Sequence, residues 1–249
     1  MVSEIQEETV KPGGPFLRQQ GEPLELFETV RLRFFKVGHL QYISHLDLQR
    51  SMMRILVRAG IPVWYTQGFN PHAKVVFALP LPIGVQSRCE YMDVRLDRKI
   101  EFEEVKRRLN AALTDEMQVL EAYAPEMKFS DIGYAAYTIR FTCPQTAFPT
   151  AGEVEACLRD PGTRIRKKTK SGEHDVATAD VIEQMKIEST EEELRLDLLL
   201  SAGTNRETLS PAQIAEEIEN RFSLYKDPAQ EHLDIIRTSV LNLDGVPFR

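Results

Sequence analysis

Residues 42–84 read YISHLDLQRSMMRILVRAGIPVWYTQGFNPHAKVVFALPLPIG. Ser44, with Asp47 three residues later, forms a capping-box-like pair, so a helix is expected from Ser44 to Ala59. Leu48, Met52, Ile55 and Ala59 recur at helical spacing and make its apolar face, with Met53 and Leu56 beside them. Gly60 stands where a left-handed residue ends a helix, and Pro62 follows. Pro62 to Tyr65 and Lys74 to Leu79 read as extended, with a loop from Thr66 to Ala73 between them. The run Leu79-Pro80-Leu81-Pro82-Ile83-Gly84 cannot lie in a central strand, because proline donates no ladder hydrogen bond. It either packs as a rigid turn or presents Leu81 and Ile83 to a partner.

Strands and helices alternate on both sides of this stretch. Val30 to Val37, Tyr91 to Leu96 and Gln118 to Tyr123 read as strands, and Phe102 to Leu113 as a helix. With the two segments around the loop taken as one irregular arm, the order approximates β-α-β-β-α-β, the ferredoxin-like plan. The pattern then repeats. Strands are expected at Tyr137 to Cys143, Ile165 to Thr169, Val181 to Glu188, Leu194 to Ser201 and Ile235 to Asn242. Helices are expected at Gly152 to Arg159 and after Ser210-Pro211, running to Phe222. The expected class is α+β, two ferredoxin-like units in tandem, the second with an extra basic hairpin. The units span 29–128 and 134–249, joined near Lys128 to Tyr134. The alternative is one continuous α+β domain. Residues 1–28 hold six acids, two basic residues and a Gly13-Gly14 pair without periodicity, and read as a disordered leader.

The chain has 249 residues, 42% hydrophobic and 28% charged, enough for one large domain or two small ones. No apolar run approaches the roughly 20 residues of a membrane helix, and no secretory signal is visible. Cys89, Cys143 and Cys157 are sparse, odd in number and without a CxxC pair. They fit structural roles in a reducing cytosol rather than a disulfide framework or a metal cluster. No cofactor is expected. His39, His45 and His72 have no recognised metal-ligand spacing.

Charge is where the chain departs from the ordinary. Its total is -7, yet between Val30 and Gln86 seven cations face one acid, Asp47, a local +6. A reversal of that size suggests a surface for an anionic partner. Arg50, Arg54 and Arg58 recur every fourth residue, about 6 Å apart along one side of the helix, and could meet successive phosphates. A solvated helix face is the other explanation, since charged stripes usually face solvent. In the loop, Tyr65 and Phe69 offer stacking faces, Gln67, Asn70 and His72 offer hydrogen-bonding groups, and Lys74 supplies charge. That mixture suits an unpaired nucleotide, or an ordinary loop with its rings turned inward. His45 and His72 are candidates for acid–base work, but no partner carboxylate is identifiable by spacing. A second basic element, TRIRKKTKSGEHD at 163–175, carries Lys167, Lys168 and Lys170 toward a Ser171-Gly172 turn. It suits a phosphate-reaching ribbon or a solvated edge.

The SHLDL run at 44–48, the QGFNPH run at 67–72 and the RKKTKSGEHD run resemble the radical-SAM-linked protein family, a bacterial domain of unknown function. The similarity covers most of the chain from Thr29 onward. Ala73 stands where a second proline would follow His72. The resemblance implies a domain fused to, or encoded beside, radical SAM proteins. No three cysteines here are spaced to hold that enzyme's cluster. The expected function is therefore a cytoplasmic RNA-binding accessory domain, working with a radical SAM partner on tRNA or rRNA without its own catalysis. A protein-docking module using Pro80 to Ile83 and a metal-independent endoribonuclease are the alternatives.

Overall fold

The computed structural model describes residues 28–67, 69–142, 147–169, 172–204, 206–224 and 232–249. The expected leader, Cys143, Lys170 and Gly68 of the loop lie outside the described residues or at their gaps.

The first half runs β1 (Thr29–Lys36), α1 (His45–Arg58), β2 (Val75–Phe77), β3 (Gln86–Arg95), α2 (Phe102–Asn110) and β4 (Met117–Tyr123). Its strands lie in the order β4-β1-β3-β2, every neighbour antiparallel. The second half runs β5 (Ile132–Thr142), α3 (Ala151–Arg159), the hairpin β6 (Arg164–Thr169) and β7 (Gly172–Ala177), β8 (Ile182–Ser189), β9 (Glu193–Ser201), α4 (Pro211–Phe222) and β10 (His232–Asn242). Its order is β10-β5-β9-β8, again antiparallel throughout, with β6-β7 as a separate two-stranded sheet. Apart from β6 and β7, all the strands belong to one sheet, because β10 pairs parallel with the start of β3 at Ile236–Gln86 and Arg237–Ser87. Among the described residues the protein is thus a mixed α+β structure built on one large sheet with four α-helices.

Local chemistry accounts for the helices. At α1, Ser44 Oγ accepts from the Asp47 amide at 3.1 Å and donates to the Asp47 carboxylate at 2.6 Å. Gly60, at φ +64°, takes the left-handed conformation after the helix end. Leu48, Met52 and Leu56 are buried against Val30, Leu32 and Phe34 of β1 and Met92 and Val94 of β3. Burying each such side chain stabilises by about 1.5–3 kcal/mol. A second core joins Ile139, Phe141, Leu194, Leu196 and Leu198 to Val154 and Leu158 of α3 and Ile214 and Ile218 of α4.

Some element bounds differ from the sequence reading. β3 begins at Gln86 and β5 at Ile132, both earlier than expected. In β3 the run Cys89, Glu90, Tyr91 and Met92 is buried on both faces, which hides the alternation that marks a half-buried strand. The expected joint at 128–134 is mostly ordered structure: a 3-10 turn at Phe129–Asp131 leads straight into β5. Of the expected extended segments around the loop, only Val75–Phe77 forms a strand; Val63 and Tyr65 make isolated bridges to Leu96 and Ala73.

Candidate nucleic-acid interface

The cations counted between Val30 and Gln86 divide into two groups. Arg31, only 1% exposed, forms a bidentate pair with Asp93 at 2.7 and 2.8 Å. It donates further to the carbonyls of Met127 and Arg249, and its guanidinium lies between the rings of Phe129 and Phe248 at 4.4 and 4.8 Å. Arg33 pairs with Glu121. Lys36 is buried and donates to the Leu40 carbonyl at 3.0 Å; burial holds its pKa below the usual lysine value. Arg31 and Lys36 are interior groups and Arg33 is only partly exposed, so the local +6 overstates the charge offered to a partner. Strand alternation turns Arg31 and Arg33 to the face of β1 opposite Val30, Leu32 and Phe34, and there Phe129 and the C-terminal Phe248 cover Arg31.

The remaining four stay at the surface. Arg50 is exposed and makes one 3.4 Å contact with Asp47, itself exposed. Arg54 is exposed and has no side-chain partner among the described residues. Arg58 donates to the Ala112 carbonyl, which ties α1 to the end of α2. The row is therefore real, but its last member is committed. Lys74 is exposed, with no side-chain partner among the described residues.

The loop is an arm rather than a loose turn. Tyr65 bridges Ala73, the Thr66 amide donates to the His72 carbonyl at 2.9 Å, and the Lys74 amide donates to the Trp64 carbonyl at 3.0 Å. This pairing leaves Gln67, Phe69, Asn70 and His72 outward. Phe69 is fully exposed, while Tyr65 is half-buried against the first core. The ring expected to stack alongside Phe69 thus belongs in part to the fold.

The two candidate histidines sit in different surroundings. His45 lies edge-on to Phe77, ring centroids 5.5 Å apart, with its Nε2 3.0 Å from Gln49. His72 Nδ1 is 3.0 Å from Thr66 Oγ1. Among the described residues neither has a carboxylate in hydrogen-bond reach. His39 pairs instead with Glu116 at 2.9 Å, so the three histidines each have separate partners.

The basic hairpin is mostly satisfied internally. Arg166 pairs with Asp175 at 3.2 Å, Lys168 with Glu173 at 3.2 Å, and Lys167 donates to the Thr208 carbonyl and hydroxyl at 2.8 and 3.0 Å. His174 is 3.2 Å from Glu207. The alternation of β7 sets its acids opposite the cations of β6. Of the basic side chains described here, Arg164 is exposed and without such a partner.

Sequence reasoning missed one corner. The Arg95 guanidinium lies over the Trp64 ring at 4.7 Å. Backbone bonds tie this end of β3 to the arm: Trp64 N to Arg95 O at 2.8 Å, Arg95 N to Lys74 O at 3.0 Å and Asp97 N to Pro62 O at 2.9 Å. Arg98 and Lys99 follow at once, exposed and without side-chain partners among the described residues. The run RLDRK at 95–99 was the available signal.

The docking alternative centres on Leu79 to Gly84. Leu81 is buried, but Ile83 is 60% exposed, as are Tyr42 at 66% and Leu46 at 53%. The Gly84 amide donates to the Gln41 carbonyl at 2.9 Å, so this turn lies against the segment carrying Tyr42.

Among solved structures, the chain is similar to one in "Crystal Structure of a Cbf5-Nop10-Gar1 Complex", with 10% identity and a TM-score of 0.44, covering 85% of this chain and 48% of that one. A chain in "Crystal structure of the archaeal box H/ACA sRNP Nop10-Cbf5 complex" gives 11% identity and 0.40, over 84% and 46%. An unknown protein from Galdieria sulphuraria gives 12% and 0.24, over 85% and 99%. The chain thus spans about half the length of the matched chains in the two complexes. Likeness at these scores supports no functional assignment. No curated protein matches. Residues 29–211 match the family described as "Uncharacterized protein conserved in bacteria (DUF2344)", and the chain belongs to that family.

Proposed function

We propose that this protein binds RNA, tRNA or rRNA, through α1 and the 62–74 arm, and presents it to a radical SAM enzyme without carrying the chemistry itself. One observation carries the RNA reading: Arg50 and Arg54 stand exposed along α1, and the arm that follows turns Gln67, Phe69, Asn70, His72 and Lys74 outward together. Guanidiniums can hold phosphates, and an exposed ring can stack a base. The radical SAM partner rests on the resemblance of the SHLDL and QGFNPH runs alone. The recurring strand orders β4-β1-β3-β2 and β10-β5-β9-β8 support reading the halves, 29–128 and 134–249, as two ferredoxin-like units.

The test is binding of a labelled bulk tRNA pool across salt, with a variant carrying Arg50→Ala, Arg54→Ala and Arg58→Ala beside the native chain. Binding that falls steeply with salt and weakens in the variant supports the reading. No binding at low salt by the native chain overturns it. The exposed group Tyr42, Leu46 and Ile83 favours a second reading, a protein-docking surface. Capture of a radical SAM protein without RNA, lost in Ile83→Asp, would select it.

A further inference from the structure

The corner where β3 leaves the sheet combines features that no single segment shows. The Asp97–Pro62 and Arg95–Lys74 backbone bonds lay the 96–100 turn against the base of the arm. Lys74, Arg98 and Lys99 are exposed there, and Arg95 rests on Trp64. Asp97 is the exposed acid among them, and Glu101 follows as the residue capping α2. At the arm's far end stands Phe69, a phenyl ring left wholly in water by a paired backbone that does not need it.

We propose that this corner is the strand-binding part of the interface, specific for unpaired RNA: Phe69 stacks one base while Lys74, Arg98 and Lys99 hold the phosphates beside it. The proposal rests on the RNA reading above and goes beyond it in naming the nucleic-acid form and in adding residues outside α1 and the arm. The chemistry favours a single strand. A duplex keeps its bases stacked and offers a ring no free face, whereas an unpaired base can be splayed out onto an aromatic side chain. A short cationic shelf tied to the same hairpin can then follow the backbone of the flanking nucleotides.

The experiment uses the full chain and two fluorescein-labelled RNAs of equal length, an unstructured pyrimidine-rich strand and a blunt duplex. Native protein is compared with Phe69→Ala and with the double variant Arg98→Ala/Lys99→Ala; all three changes are at exposed positions, and matching thermal melts establish that the variants fold. The proposal expects the single strand to bind more tightly than the duplex. Phe69→Ala should weaken strand binding about five- to a hundredfold and leave duplex binding unchanged. The double variant should weaken strand binding and flatten its salt dependence by about two phosphate contacts. Duplex preference overturns the proposal, as does native-like strand binding by both variants. If those variants bind normally while the α1 triple variant does not, this corner is wrong but the RNA reading stands. If the native chain binds neither RNA, both fall.

Discussion

The 62–74 arm and the β6-β7 hairpin both carry cations in or beside them, and those cations are held in opposite ways. In the hairpin Arg166 and Lys168 face Asp175 and Glu173, and Lys167 is bound to Thr208. In the arm Lys74 has no side-chain partner among the described residues, and neither do Arg98 and Lys99 beside its base. A charge count does not show which cations face acids. Register does: antiparallel pairing puts Arg166 across from Asp175 and Lys168 across from Glu173, whereas the arm carries no acid between Pro62 and Lys74. Interior arginines extend the same lesson, since Arg31 and Arg237 add to the count and serve only the fold.

Arg237 sharpens that contrast most. It pairs with Glu90 at 2.8 Å, donates to the Leu79 carbonyl at 3.0 Å and lies 3.2 Å from the Tyr137 hydroxyl, where β10 of one half pairs with β3 of the other. Removing it takes the hydrogen-bonded ion-pair partner from a buried carboxylate. Arg237→Ala should lower unfolding free energy by about 3–5 kcal/mol in urea denaturation, with no effect on RNA binding beyond lost folded protein. A smaller loss would mean that the junction is not held by this pair.

The α1 row depends on its cap. Ser44→Ala removes the acceptor for the Asp47 amide and should cost about 1 kcal/mol, read in the same denaturation. Lys36 offers a smaller, pH-dependent check. Its folded pKa lies below the ordinary 10.5 because burial opposes its charge, with Arg237 nearby acting in the same sense. The unfolded state therefore binds more protons in the window between the two values, and stability rises with pH there. Against Lys36→Met, the native chain should gain stability as pH climbs toward 10.5; a flat difference would contradict the burial. Weakest of all should be the hairpin: exposed ion pairs are worth about 0.2–1 kcal/mol each, so Arg166→Ala/Lys168→Ala should barely shift the melting transition.

Much of the framework was legible because it follows from local rules. The Ser44 cap, the Gly60 stop and the Leu48 and Met52 part of the apolar face appear where the residues place them, while Leu56, read as flanking, is buried and Ile55 and Ala59 are half-buried. The Ser210-Pro211 start of α4 does too. What could not be read depends on contacts distant in sequence. The union of both halves in one sheet needs β10 against β3, some 150 residues apart by pairing. The corner at Arg95, Arg98 and Lys99 becomes visible only when Asp97 meets Pro62. The commitment of Arg58 to Ala112 likewise needs α2 in place.

The most direct measurement sets the face made by α1 and the arm against the hairpin in one salt titration of RNA binding. Arg54→Ala/Lys74→Ala is compared with Arg166→Ala/Lys168→Ala, each removing two cations. The account predicts that the first pair weakens binding and reduces the salt slope by about two, while the second leaves both within error of the native chain. Loss of binding in the hairpin variant with none in the Arg54→Ala/Lys74→Ala variant would contradict it.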